Sequence, residues 1–130
     1  MVEILSSRLL LRPADYQKTL AFYRDALGLA VYREYPGGTV FFAGQGLIEI
    51  AGHRSPVAPA PAGRPAADIW LQVRDIATAR AQVEAAGVRI ARDARTEPWG
   101  LIEMWLTDPD GVPVVLVEVP AGHPLRSDQR

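Results

Sequence analysis

The chain has 130 residues, 48% of them hydrophobic and 22% charged, which is enough to bury the core of one ordinary domain. Fourteen Lys and Arg stand against fifteen Asp and Glu, so no basic patch points to nucleic acid and no charged block to an interaction tail. The sequence contains no cysteine, which excludes disulfides, thiolate metal sites and cysteine nucleophiles together.

The opening "MVEILSSRLLLRP" lacks the basic start and long apolar run of a signal peptide, and a cytoplasmic protein is expected. Its "RLLLR" reads as a first strand. In "DYQKTLAFYRDALGL" Asp15 is placed to cap a helix, with Tyr16, Leu20, Tyr23 and Leu27 at helical spacing and Gly28 as the stop. Three strand-like runs follow, "AVYREY", "TVFFA" and "LIEIA", punctuated by "PGG" and "GQG". Residues 52–66, "GHRSPVAPAPAGRPA", are rich in Pro and Ala and read as an exposed linker.

The pattern then begins again. "DIWLQV" is a strand, and "DIATARAQVEAAGV" a helix capped by Asp75, with Ile76, Ala79, Val83 and Ala86 as its buried stripe and Gly87 as its stop. "VRIAR", "LIEMWL" and "VPVVLVEV" follow, separated by "PWG" and "DPDG", and residues 120–130 form a polar, frayed tail. The capping aspartates lie 60 residues apart (75 − 15) and the stop glycines 59 apart (87 − 28). The chain is therefore an α+β protein, a single domain over 1–130 in which a βαβββ module is written twice, over 8–51 and 67–119. Neither module would be stable alone at this size.

This layout resembles the vicinal oxygen chelate superfamily, which includes glyoxalase I, bleomycin-resistance proteins and extradiol dioxygenases. The resemblance covers roughly residues 8–119, and "AFYRDALGL" and "EPWGLIEMWLTDPDG" are its most specific pieces. It implies the glyoxalase/bleomycin-resistance fold: each module forms half of a cupped mixed sheet, helices cover the outer face, and the cup holds the ligand.

Strand alternation assigns residues to the two faces, because the face under a helix must be apolar. Ile69, Leu71 and Val73 go to the helix side, leaving Asp68, Trp70 and Gln72 for the cup. Ile102, Met104 and Leu106 leave Glu103 and Trp105; Ile48 and Ile50 leave Leu47 and Glu49; Leu9 and Leu11 leave Arg8, Leu10 and Arg12. On the last strand Pro113, Val115 and Val117 take the cup face, whereas Glu118 shares the outer parity and is not expected to be a ligand residue.

The resemblance also implies four metal-ligand positions in metal-dependent members, each a His or Glu. Here they carry Arg8, Glu49, Asp68 and Val115. Arg8 would repel a cation and Val115 has no lone pair, so two carboxylates remain, suited at most to loosely held Mg²⁺ or Mn²⁺. No metal and no cofactor are expected.

Arg8, Asp68 and Glu49 read either as an ion-pair network or as a site in which Arg8 grips a ligand carboxylate or phenolate. Trp70 and Trp105 read either as core aromatics or as the walls of a pocket, and Trp99 in "EPWG" as a pocket lip or a turn anchor. His53 and His123 fall in the linker and tail, as surface residues. No G-x-S-x-G or H-E-x-x-H motif occurs. The leading expectation is a metal-free homodimer of the bleomycin-resistance type that binds a hydrophobic or aromatic small molecule, such as an antibiotic or metabolite, with no nucleic-acid or membrane partner. The alternative is a lyase, isomerase, cyclase or dioxygenase using Glu49, Asp68 or Glu103 as acid/base or as weak metal ligands.

Overall fold

The structure, a computed structural model, describes residues 1–53, 56–57 and 67–125. Most of the expected linker and the last five residues of the expected tail lie outside the described residues. The chain divides into two compact units, 1–64 and 65–130, and each contains one βαβββ module.

In the first unit, β1 (Leu9–Leu11), β2 (Val31–Tyr35), β3 (Gly38–Ala43) and β4 (Gly46–Ala51) form a sheet of order β1-β4-β3-β2. β1 runs parallel to β4, and the other pairs are antiparallel. Asp15 caps α1 (Tyr16–Ala21), its carboxylate accepting from the Lys18 amide at 3.1 Å. The sequence predicts one α-helix running to Gly28, but from Phe22 to Ala26 the chain widens into a π-helical turn, in which the Leu27 amide donates to the Phe22 carbonyl. The extra residue in that turn lets the adjacent Phe22 and Tyr23 both be buried. Gly28 then stops the segment at φ +71°, a conformation that costs a side-chain-bearing residue energy. The Tyr16 hydroxyl meets Thr39 Oγ1 at 2.9 Å, which marks the Thr39 face of the sheet as the helix side.

The second unit repeats the scheme with β5 (Ile69–Val73), α2 (Ile76–Ala85), β6 (Ile90–Thr96), β7 (Ile102–Thr107) and β8 (Pro113–Glu118), in the order β5-β8-β7-β6. Asp75 caps α2 by accepting from the amides of Ala77 and Thr78. Ile76, Ala79 and Val83 are buried as expected, but Ala86 is exposed. It is the C-cap, one residue past the last helical position, and so leaves the stripe. In the "DPDG" turn the Asp108 carboxylate accepts from the amides of Asp110 and Val112 and closes the β7–β8 hairpin.

The duplication extends to an irregularity that strand alternation does not reveal. The β2–β3 ladder shifts register between Val31 and Arg33, and the β6–β7 ladder between Ile90 and Arg92. The two bulges lie 59 residues apart (90 − 31), the interval of the stop glycines. Among the described residues, no helix is long and apolar enough to cross a membrane.

Candidate functional site

The face of the second sheet turned away from α2 is built in rows. Trp70 and Trp105 are both Cα partners of Val115, so β5, β8 and β7 carry one row of indole, valine, indole. Gln72 and Glu103 are likewise both partners of Val117, and form the next row. Neighbouring strands lie about 4.8 Å apart, so the two tryptophan backbones stand roughly 10 Å from one another across the small Val115. The valine floor is buried, together with Leu101 and Val119, and Trp105 packs against it. Trp70 is 48% exposed. The parity drawn from the sequence holds for these strands: Met104, Leu106, Val114 and Leu116 lie on the other side, buried.

Trp99 joins this face. Its indole Nε1 donates to Glu103 Oε2 at 2.8 Å, and its carbonyl oxygen lies 3.1 Å from His123 Nε2. His123 thus ties the start of the tail to the "EPWG" loop. Asp68 is exposed, immediately before β5. Glu118 takes the helix side, as expected, where Oε1 accepts from the Ile76 amide at 2.8 Å. Its carboxylate is a second acceptor at the α2 N-terminus, beside Asp75, where the helix dipole favours negative charge.

Sequence reasoning missed Arg92 and Arg95. Strict alternation groups Arg92 with Ile90, which would turn it towards the helix. The two register shifts in β6 instead pair Arg92 with Trp105 and Arg95 with Glu103, on the tryptophan face. Asp93 keeps the opposite side, where its carboxylate takes a two-pronged bond from Arg80 of α2. Arg92 and Arg95 share the buried carboxylate of Glu97. The Arg95 hydrogen bonds hold Glu97 below the usual carboxylate range against the opposing effect of burial, and Arg92 adds to them.

In the first unit the corresponding face centres on Glu49, which is 6% exposed. Arg8 Nη1 donates to Glu49 Oε1 at 2.7 Å, and the Tyr35 hydroxyl donates to Oε2. Burial pushes the Glu49 carboxyl up, but these two hydrogen bonds and the charge of Arg8 outweigh it and leave the group below its ordinary value. The bond to Glu49 raises the Tyr35 phenol, so the pair is held as carboxylate and neutral hydroxyl. Arg33 lies over the Tyr35 ring, 5.5 Å from its centroid. Leu10 is the Cα partner of Glu49, and Leu47 that of Phe42. Arg12 is directed elsewhere, donating to the His53 carbonyl at 2.8 Å. Of the expected ion-pair network, Arg8 and Glu49 are thus paired; Asp68 belongs to the other unit. Tyr35 was not anticipated, and its only signal was the "YPGG" turn, whose second glycine leaves room for the ring.

The residues at the expected metal positions do not fit a divalent ion. Both oxygens of Glu49 are committed to Arg8 and Tyr35, Arg8 brings positive charge, and the buried Val115 offers no donor atom. Among the described residues, no three His, Cys, Asp or Glu side chains are grouped to hold a metal.

Two βαβββ modules with mixed sheets and capped outer helices define a fold class, and the comparisons with known proteins agree. The family described as "Glyoxalase/Bleomycin resistance protein/Dioxygenase superfamily" matches residues 6–116, and the chain belongs to it. Among solved structures, the integron cassette protein VCH_CASS1 from the mobile metagenome of V. Cholerae is 23% identical, with a TM-score of 0.70 over 92% of this chain and 98% of that one. TioX from Micromonospora sp. ML1 is 16% identical, with a TM-score of 0.74 over 89% of this chain and 99% of that one. A lactoylglutathione lyase from Agrobacterium tumefaciens is 20% identical, with a TM-score of 0.65 over 91% and 95%. These likenesses establish the fold. No curated protein matches the chain.

Proposed function

We propose that the chain is a metal-free small-molecule binding protein of the bleomycin-resistance type, a cytoplasmic homodimer that sequesters a hydrophobic, partly aromatic ligand such as an antibiotic or metabolite. The observation that carries this reading is the row Trp70–Val115–Trp105. Two indoles flank a small apolar floor, with Gln72 and Glu103 in the adjoining row to orient polar groups, which is the composition of a small-molecule site. A planar ring over Val115 can stack on either indole, each contact contributing about 0.5–1.5 kcal/mol beyond area burial.

The acid/base alternative draws less support. A general base must reach the proton it removes, and both oxygens of the buried Glu49 are already engaged by Arg8 and Tyr35, while Glu103 is turned by Oε2 towards Trp99 and keeps Oε1. Asp68 is exposed, immediately before β5 and outside the tryptophan row.

The test is a screen of planar aromatic compounds against the full chain, read by indole fluorescence and thermal shift, with metal content measured on protein purified without added metal. Ligand binding that quenches indole emission, without stoichiometric metal, is the expected result. One equivalent of Zn, Ni, Mn or Fe bound through Glu49 and Asp68 would overturn the metal-free reading, and monomer mass by light scattering would overturn the dimer.

A further inference from the structure

We infer that Arg92 is an anion anchor for the tryptophan row, so that the favoured ligand is a planar aromatic carrying an anionic oxygen group, such as a carboxylate. This rests on the proposed binding role of the Trp70–Val115–Trp105 row and narrows it to a ligand class.

Three observations lead there. The first is placement. The bulge between Ile90 and Arg92 turns Arg92 onto the tryptophan face as the Cα partner of Trp105, so the row continues as Trp70, Val115, Trp105, Arg92 over four adjacent strands. Bulges commonly re-aim a side chain at a functional surface.

The second is how the guanidinium is held. Arg92 Nη2 donates to Glu97 and also to the Glu103 carbonyl oxygen at 3.2 Å. The bond to the Glu103 carbonyl ties the head group to β7, the neighbouring strand. Glu97 is buried and is shared with Arg95, so the cation is fixed before any ligand arrives and loses little freedom on binding.

The third is unused donor capacity. The hydrogen bonds of Arg92 to Glu97 and to the Glu103 carbonyl both leave from Nη2, and Nε is buried, so Nη1 is the donor left to meet a ligand. Two guanidiniums share one carboxylate here, while the other carboxylate of the face, Glu103, gives Oε2 to Trp99. A carboxylate on a ring stacked against Trp105 would meet Nη1 of a fixed guanidinium, in a charge-assisted hydrogen bond.

The test uses the full chain and two isosteric probes, 2-naphthoate and its neutral amide, with Kd read by indole quenching and calorimetry. The wild-type protein should bind the carboxylate about tenfold to a hundredfold more tightly than the amide, the range for a hydrogen bond to a charged group. Arg92→Gln should abolish that preference by weakening the carboxylate while leaving the amide within about twofold. If Arg92→Gln fails to fold by circular dichroism, Arg92→Lys serves instead. It keeps the charge and loses the planar head group held between Glu97 and the Glu103 carbonyl, and the preference should narrow; an unchanged preference would overturn the anchor. Amide binding that depends on Trp70 and Trp105, with no preference for the carboxylate, would overturn the anchor alone. So would an equal loss of both probes in Arg92→Gln. Failure of both probes to bind the wild-type protein would overturn the tryptophan row as a site and the anchor with it.

Discussion

The Tyr35 ring lies against Gly38 so closely that a Cβ at position 38 would stand 2.3 Å from the tyrosine hydroxyl oxygen and 2.4 Å from Cζ. The two glycines of "YPGG" therefore serve different ends. Gly37 supplies a backbone conformation, at φ +102°. Gly38 supplies space, and that space lets the Tyr35 hydroxyl reach Glu49. Gly38→Ala should displace the ring and destabilise the protein by about 1–3 kcal/mol, as overpacking does, measured by urea unfolding. In a Tyr35→Ala background the same change should cost much less, because the clash is gone, and a double-mutant cycle isolates the coupling. Equal costs in both backgrounds would show that the ring does not constrain position 38.

Among the described residues, the eight strands and two α-helices were legible in the sequence, because caps, stop glycines and alternating apolar residues are local signals. So was the tryptophan row, since Ile69, Leu71, Met104 and Leu106 leave only one face to Trp70 and Trp105. What escaped depends on contacts distant in sequence. Alternation assumes an unbroken ladder, and the first β6 bulge breaks it before Arg92, which turns that residue onto the tryptophan face. The Tyr35–Glu49 bond joins residues 14 apart on strands that are not neighbours in the sheet, and no local pattern encodes it. The π turn after Ala21 was invisible too, because "AFYRDAL" satisfies an α-helical period equally well.

Glu118 and Asp75 divide the exposed amides of the α2 N-terminus between them, Glu118 taking Ile76 and Asp75 taking Ala77 and Thr78. Asp75→Ala should cost about 0.5–2 kcal/mol as a lost N-cap. Glu118→Gln keeps an acceptor and loses only the charge at the helix end, so it should cost about 0.3–1 kcal/mol. Chemical denaturation measures both. Neither change should alter affinity for an aromatic ligand, since Glu118 lies on the helix side of the sheet. A binding defect in Glu118→Gln would mean that the faces have been assigned wrongly.

The two tryptophans should separate binding from stability. Trp105 packs on the Leu101, Val115, Val117 and Val119 cluster, so Trp105→Ala should weaken ligand binding several-fold and also destabilise the protein, by up to about 3 kcal/mol for a partly buried aromatic. Trp70 is half exposed on the outermost strand of the sheet. Trp70→Ala should weaken binding to a similar degree with little change in the unfolding midpoint. Titrations and melts on the same samples test this. A large stability loss from Trp70→Ala, with unchanged binding, would make it a structural residue.

Acid should destabilise the protein through its lowered carboxylates, the buried Glu97 and Glu49 more than the exposed Asp93. Arg80 holds Asp93 at about 2 through its hydrogen bonds. Glu97 is lowered by Arg95 first and by Arg92, against the opposing effect of burial. Glu49 is lowered because the Tyr35 and Arg8 hydrogen bonds outweigh its burial. A depressed folded pKa means that the folded chain binds fewer protons than the unfolded chain between the two values. The stabilisation is therefore complete above the ordinary carboxylate range and is lost as pH falls through the depressed values. Tyr35, raised in the folded state, acts at the other end: its contribution is full below its ordinary value of 10.0 and is lost as pH rises through the folded value. Stability should be level near neutrality and fall as pH drops from 4.5, the ordinary glutamate value, towards 2. Arg80→Gln should change the acid limb little, since that pair is exposed and screened by solvent. Tyr35→Phe should change it more. Without the phenol, Glu49 keeps its burial and loses one of the bonds opposing it, so its carboxyl titrates higher and acid unfolding begins at a higher pH. Circular dichroism during acid titration, wild type beside Tyr35→Phe, reads this directly; coincident curves would mean that the tyrosine hydroxyl does not hold Glu49 ionised.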